Sequence, residues 1–432
     1  MTHVLQGHGA HGALFSGFAQ LAIILVAAGV ATSIARRLGQ AGVVGIMIAG
    51  LLLGPSGFGF VAPGLFHQIF DSSALGHMET LSQLGVVLLV FSVGLTTNFS
   101  HVVHRDGRRV VIALTAAGIP LAFAIGTTTG FLVSHTLAPK IAPLAFALFI
   151  GTAFSITALP VLGRILAELG IARSRLASIG IAAAGSTDAV GWLLLSVVGA
   201  IASATLAPGS LLLETALLVA FVLAARYVLR PLFARYLDAV HEASATSPAT
   251  VIAGGLTLLF LAAVTTSAIG VFPAFGAFVA GAIAYDRQRF VALWSNGAEP
   301  FVDAFFVPIY FCFTGLRTDI GSLSTPADWM WCALLLTVAT TAKFGTAALI
   351  SRFAGLSLRH ALAIGAMMNT KGLVELVAIN LGYEMGVIPR TVYTMLVLIA
   401  VISTAATAPV LRMLLPVGLG KAVKPARLEE SV

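Results

Sequence analysis

The sequence predicts an all-α polytopic membrane protein with thirteen transmembrane helices, arranged as two inverted six-helix repeats joined by a linker helix. Three observations carry that expectation. Hydrophobic residues make up 58% of the 432-residue chain and charged residues only 9%, with a mean hydropathy of +1.00, which excludes a soluble globular protein. Apolar stretches able to cross a hydrocarbon core of about 30 Å recur along the whole chain. The basic residues fall in alternate loops, so the net charge of +7 reports orientation in a bilayer and not a nucleic-acid surface.

Taken in order, spans are expected at residues 13–35, 42–58, 77–97, 109–134, 143–168 and 175–203, and then at 210–235, 249–267, 270–288, 299–317, 329–353, 360–382 and 391–415. The chain thus divides into an N-terminal tail at 1–12, a membrane domain at 13–415 and a C-terminal tail at 416–432. Within the membrane domain, 13–203 is the first repeat, 210–235 the linker helix and 249–415 the second repeat. Arg36, Arg105, Arg164, Arg226, Arg287 and Arg352 mark one side, whereas only Lys140, Arg317 and Arg390 fall on the other. The basic side is expected to be cytoplasmic, with the N-terminus outside and the C-terminus inside a bacterial inner membrane.

The ends and loops carry little chemistry. Met1 to Gly12 lacks a basic leader region, and Arg36 and Arg37 flank the first apolar stretch as they would a retained helix. His3, His8 and His11 match no standard metal-ligand spacing, and a solvated tail is the expected reading. Cys312 and Cys332 lie in or beside apolar spans and imply no disulfide framework. The longest loops are expected at 55–76 and 236–248, so a regulatory domain would be a separate subunit. Lys421, Lys424 and Arg427 read as a flank touching anionic lipid. No cofactor is called for.

The repeat is visible in short echoes. Gly45-Ile-Met-Ile-Ala49-Gly50 in the second span shares the pattern G-x-x-x-A-G with Gly276-Ala-Phe-Val-Ala280-Gly281 in the ninth. Gly94-Leu-Thr-Thr-Asn98 at the end of the third is echoed by Gly315-Leu-Arg-Thr-Asp319 at the end of the tenth. Small-residue patterns also serve ordinary helix packing, but these keep the same order seven spans apart, which inverts the second half. Inverted repeats point to alternating access, with the site where matching helices are broken.

Those breaks are marked. The fifth span holds Ser155-Ile-Thr157-Ala-Leu-Pro160 at its centre, and the twelfth holds Asn369-Thr370-Lys371-Gly372. Proline frees a backbone carbonyl and Gly372 weakens its own helix, so both segments can turn backbone dipoles toward a cavity. A proline kink with hydroxyls bonded back to their own helix is the structural alternative. Four charges, Asp188, Lys343, Lys371 and Glu375, sit far from the ends of their apolar stretches, where a lone charge costs at least a few kcal/mol and therefore signals an ion or proton path.

At these positions the chain resembles a known family. Phe154-Ser-Ile-Thr-Ala-Leu-Pro-Val-Leu-Gly-Arg-Ile-Leu-Ala-Glu-Leu-Gly170, Ser186-Thr-Asp-Ala-Val-Gly-Trp192 and Met368-Asn-Thr-Lys-Gly-Leu-Val-Glu-Leu376 are similar to the monovalent cation:proton antiporter-2 family, including plant cation/proton exchangers and bacterial K+/H+ or Na+/H+ antiporters. The resemblance implies a sodium/proton-antiporter fold with a dimerisation domain, a core domain with crossed broken helices near Asp188, and a homodimer. It places Asp188 at the family's ion-binding aspartate. Thr187 departs from the aspartate of electrogenic members and from the asparagine or glutamine of others. Lys343 matches a lysine of the eleventh helix that pairs, in some relatives, with an aspartate at the Thr187 position.

The residues support the same chemistry on their own. A hard monovalent cation, K+ or Na+, needs oxygen ligands, which Asp188, Thr187, Thr157 and Ser155 with freed carbonyls near Pro160 could supply. Burial disfavours the bare carboxylate, so H+ and the cation compete for Asp188, and that competition is antiport. A permanent Asp188–Lys343 ion pair is the structural alternative. Lys371 and Glu375, four apart, can neutralise each other, whereas Lys343 must find its partner on another helix. Asp303 reads as first-turn dipole stabilisation before it reads as a cation-attracting entrance, and Glu79 and Glu214 are assigned no chemistry. A channel lacks a filter-like motif, an organic-solute transporter would need a larger polar or aromatic cavity, and no grouped nucleophile and base suggests an enzyme.

Overall fold

The computed structural model describes residues 10–70, 72–96, 105–202, 208–242, 247–316 and 318–415. The regular elements among the described residues are all helical. Nine helical stretches there are long and apolar enough to cross a membrane: Gly17–Arg37, Gly42–Val61, Met78–Thr96, Gly107–Leu137, Pro143–Glu168, Leu213–Val240, Pro248–Ile269, Pro326–Phe353 and Arg390–Leu414. Further apolar helices occupy Arg175–Ala202 and Pro273–Ala284, and residues 299–316 and 358–384 are helical with local irregularities. The protein is an integral membrane protein.

Local chemistry sets the helix ends. Pro143, Pro248, Pro273 and Pro326 open their helices, where a missing N–H is harmless. Thr325 and Asp328 form a capping box at the start of Pro326–Thr340. Gly270, at φ 96°, closes Pro248–Ile269 in the left-handed region. That turn is why the next helix begins at Pro273 and not at 270, as hydropathy alone suggests.

Connectors are more helical than expected. The stretch 55–76 holds Phe58–Val61 and Pro63–Ile69 before Ser72–Thr96 begins, and Arg230–Glu242 runs past the expected end at 235. Gln288–Gly297, expected to be mostly connector, is an amphipathic helix with Phe290, Val291 and Trp294 buried. The Trp294 indole donates to Ser92 Oγ at 2.8 Å and meets the Phe91 ring edge-on at 4.7 Å between centroids. Its polar face keeps its average hydropathy low, so a span search passes over it.

The helices sort into two packing groups. A scaffold group comprises Gly17–Arg37, Gly42–Leu53, Ser72–Thr96, Pro248–Ile269, Pro273–Ala284 and residues 299–316, while a second group contains both broken helices with Gly107–Leu137, Arg175–Ala202, Pro326–Phe353 and Arg390–Leu414. The echoed glycines are the points of closest approach within the scaffold. A Cβ on Gly50 would strike the Cys312 backbone and one on Gly315 the Gly50 backbone, just as Gly94 faces Phe278 O and Gly281 faces Phe91 O. Gly45 abuts Ala31 O and Gly276 abuts Ala262 O in the helix before each. Thr97, Asn98 and Arg317 of the second echo, and most of the two tails, lie outside the described residues.

Candidate functional site

Two breaks build the site. Pro143–Ser155 ends where Ile156 turns to extended backbone, and Leu159–Glu168 restarts with Pro160 in its first turn. Leu358–Met368 ends at Asn369, and Leu373–Glu384 restarts after Gly372. Each break strands carbonyls and amides at depth, where they must find partners other than water. They find each other: Ala158 N donates to Thr370 O at 2.9 Å, and Thr157 Oγ1 donates to Met368 O at 2.8 Å. The stretch 156–158 is therefore stitched to 368–370 across more than two hundred residues of sequence.

Charges complement the helix ends. Lys371 Nζ donates to Ala153 O at 3.0 Å and to Glu375 Oε1 at 2.7 Å, and Lys343 Nζ donates to Ser155 O. Two ammonium groups thus sit at the C-terminal, partially negative end of Pro143–Ser155, while Glu375 lies in the first turn of Leu373–Glu384, at a partially positive end. Lys343 stands in a π-turn, Thr341–Gly345, inside the helix from Pro326 to Phe353, an irregularity that often accompanies function. Lys371 Nζ also lies 5.7 Å from the Phe154 ring centroid, within cation–π range. Lys371 and Glu375 are fully buried and Lys343 nearly so.

Asp188 lies on Arg175–Ala202, but its side chain falls outside the described residues. Its helix packs against all four halves of the broken helices. Three residues on, a Cβ at Gly191 would stand 2.5 Å from Ile156 Cγ1, and one at Gly180 would stand 2.7 Å from Met367 Sδ. The absent side chains let this helix lie close to both breaks. Thr187 is buried and its Oγ1 donates to Ala184 O of its own helix at 2.8 Å, as Ser155 Oγ does to Thr152 O at 2.8 Å. Their lone pairs stay available to a cation. Among the described residues, buried Asn369 Oδ1, Glu375 Oε2 and Ser403 Oγ find no hydrogen-bond partner.

The last helix, Arg390–Leu414, contributes groups the sequence reading did not assign. Thr404 Oγ1 donates to Lys371 O, and Thr407 Oγ1 shares a 3.2 Å hydrogen bond with Thr370 Oγ1. Their i, i+3 spacing in a predominantly apolar span was the available signal. Asp303 has a third role besides the two expected for it, because its Oδ2 accepts from Arg164. Among the described residues, no group of three His, Cys, Asp or Glu side chains could hold a metal ion.

The chain is similar to known proteins in sequence and in fold. The chain is 32% identical over 401 residues to the Na(+)/H(+) antiporter NhaS4 of Synechocystis sp., covering 92% of this chain and 97% of that protein. It is also 32% identical over 397 residues to Cation/H(+) antiporter 18 of Arabidopsis thaliana, where it spans about half of the relative, 48%. The fold is similar to the sodium proton antiporter MjNhaP1 from Methanocaldococcus jannaschii, with a TM-score of 0.66 at 16% identity over 93% of this chain and 98% of that one. A sequence model described as "Sodium/hydrogen exchanger, transmembrane" matches residues 22–415. The chain therefore belongs to the transmembrane sodium/hydrogen exchanger family, whose members are transporters and not enzymes.

Proposed function

We propose that this chain is a secondary active antiporter exchanging K+ or Na+ for H+ through Asp188. The observation that carries the reading is the junction of two broken helices. The carbonyl end of Pro143–Ser155 holds both Lys343 and Lys371, and the helix bearing Asp188 lies against both breaks. Thr187, Thr157 and Ser155 supply oxygen ligands together with Asp188, and Pro160, Asn369 and Thr370 shape the breaks. Lys371 and Glu375 neutralise one another. The names of the relatives, a Na(+)/H(+) and a cation/H(+) antiporter, support the substrate class.

The architecture in this reading is thirteen spans, with repeats at 13–203 and 249–415 about a linker at 210–235. The reciprocal approaches of Gly50 with the Cys312–Gly315 turn and of Gly94 with the Phe278–Gly281 turn support an inverted pair. The protein in this reading is a homodimer in a bacterial inner membrane, with the arginine-rich face cytoplasmic. The N-terminus is outside.

Asp188→Asn tests the assignment. Asparagine keeps shape and hydrogen bonding but can carry neither the proton nor the charge. In proteoliposomes the folded variant should show no cation-driven proton flux, and wild-type flux would remove Asp188 from the site.

A further inference from the structure

The half-helix Leu159–Glu168 starts at the first break and ends among charges that the ion site does not use. Arg164 donates through one terminal nitrogen to Asp303 Oδ2, on the scaffold stretch 299–316, and through Nε to Glu168 Oε1 at 3.1 Å. Glu168 Oε2 accepts from Gly42 N at 2.5 Å, the first amide of scaffold helix Gly42–Leu53, where unpaired N–H groups and the helix dipole favour a carboxylate. Gly42 makes room for it: a Cβ there would stand 3.2 Å from Glu168 Oε1. Arg36 of the first scaffold helix is 3.8 Å from the same carboxylate. Arg412 of the last helix donates to Gly39 O in the turn between the first two scaffold helices.

We propose that Arg164, Glu168 and Asp303 form a latch that holds the arginine-rich face of the transporter closed by tying the site-bearing half-helix to the scaffold. The proposal deepens the antiport reading and rests on its alternating access. Any motion of the broken-helix group against the scaffold at this face must separate Arg164 from Asp303 and Glu168 from Gly42. Half-helix, break and latch form one lever, since ten residues of helix span about 15 Å. Exposure suits a reversible contact. The Arg164 and Glu168 side chains are 19% and 14% exposed and Asp303 33%, whereas the Lys371–Glu375 pair is at 0%. Water can therefore resolvate the latch as it opens, and it cannot do so for the pair at the break.

Side-specific thiol labelling tests the latch. Both native cysteines, Cys312 and Cys332, are buried and are replaced by alanine. Ala158→Cys then places a reporter at the break, where Ala158 is buried. A membrane-impermeant maleimide is applied to oriented vesicles from the arginine-rich face. Removing a partly exposed pair shifts a two-state equilibrium by about two- to fivefold, so Asp303→Asn should raise the labelling rate by that factor. Arg164→Asp combined with Asp303→Arg should label more slowly than Asp303→Asn alone, short of the starting rate because a carboxylate at 164 faces Glu168 four residues on. Glu168→Gln should move it in the same direction as Asp303→Asn and serves as the test if that variant does not fold. Unchanged labelling in folded Asp303→Asn or Glu168→Gln, or a charge swap that labels as fast as the single variant, would overturn the latch. Labelling reads the open face and not ion flux, so its failure leaves the antiport reading standing.

Discussion

The ammonium of Lys343 donates to the carbonyl of Ser155, the last residue of the helix that breaks at 156–158. A cation at that end offsets the helix dipole and satisfies an acceptor that the break has stranded. Lys371 does the same two residues earlier at Ala153 O, while also pairing with Glu375. One lysine, in the break, thus has a carboxylate four residues on, and the other reaches a backbone end from a different helix.

For Lys343→Gln the expected outcome is a less stable protein that still exchanges ions. Replacing a charge-assisted hydrogen bond with a neutral one should cost about 1–3 kcal/mol, read as a lower Tm in thermal unfolding. Transport should persist with a displaced pH profile. Complete loss of transport at unchanged stability would make Lys343 a direct participant in ion exchange.

Breaking the fully buried Lys371–Glu375 pair should be costlier. Glu375→Gln leaves an uncompensated ammonium and Lys371→Met an uncompensated carboxylate, each worth about 3–5 kcal/mol by the behaviour of buried pairs. The double variant should be more stable than either single one. Should the two losses simply add in the double variant, the pair would not be acting as a unit.

Stoichiometry follows from Thr187. With no second carboxylate at that position, the exchange proposed above gives Asp188 either one proton or one cation to carry. If Lys343, Lys371 and Glu375 keep their charges, no net charge moves per cycle. Exchange should therefore be electroneutral and insensitive to a valinomycin-clamped potential. A steady current on a solid-supported membrane would refute this and point to proton release from Lys343. Thr187→Asp should gain such a current by restoring a second acid.

Some of this molecule is local enough to read along the chain. Apolar stretches predict the spans because a bilayer sorts residues by transfer free energy one segment at a time. Pro160 and Gly372 mark the breaks because each acts on its own backbone. The Lys371–Glu375 pair is anticipated by their spacing of four, and they meet at 2.7 Å although Lys371 stands in the break and only Glu375 on the restarted helix. The tertiary structure alone decided the rest. Lys343 finds Ser155 across 188 residues, Thr157 finds Met368 across 211, and Arg164 finds Asp303 across 139. Thr404 meets Lys371 O only because the last helix passes beside the second break. Which stranded backbone group or charge is satisfied by which partner depends on how separate helices are laid side by side, and neither hydropathy nor helical spacing encodes that arrangement.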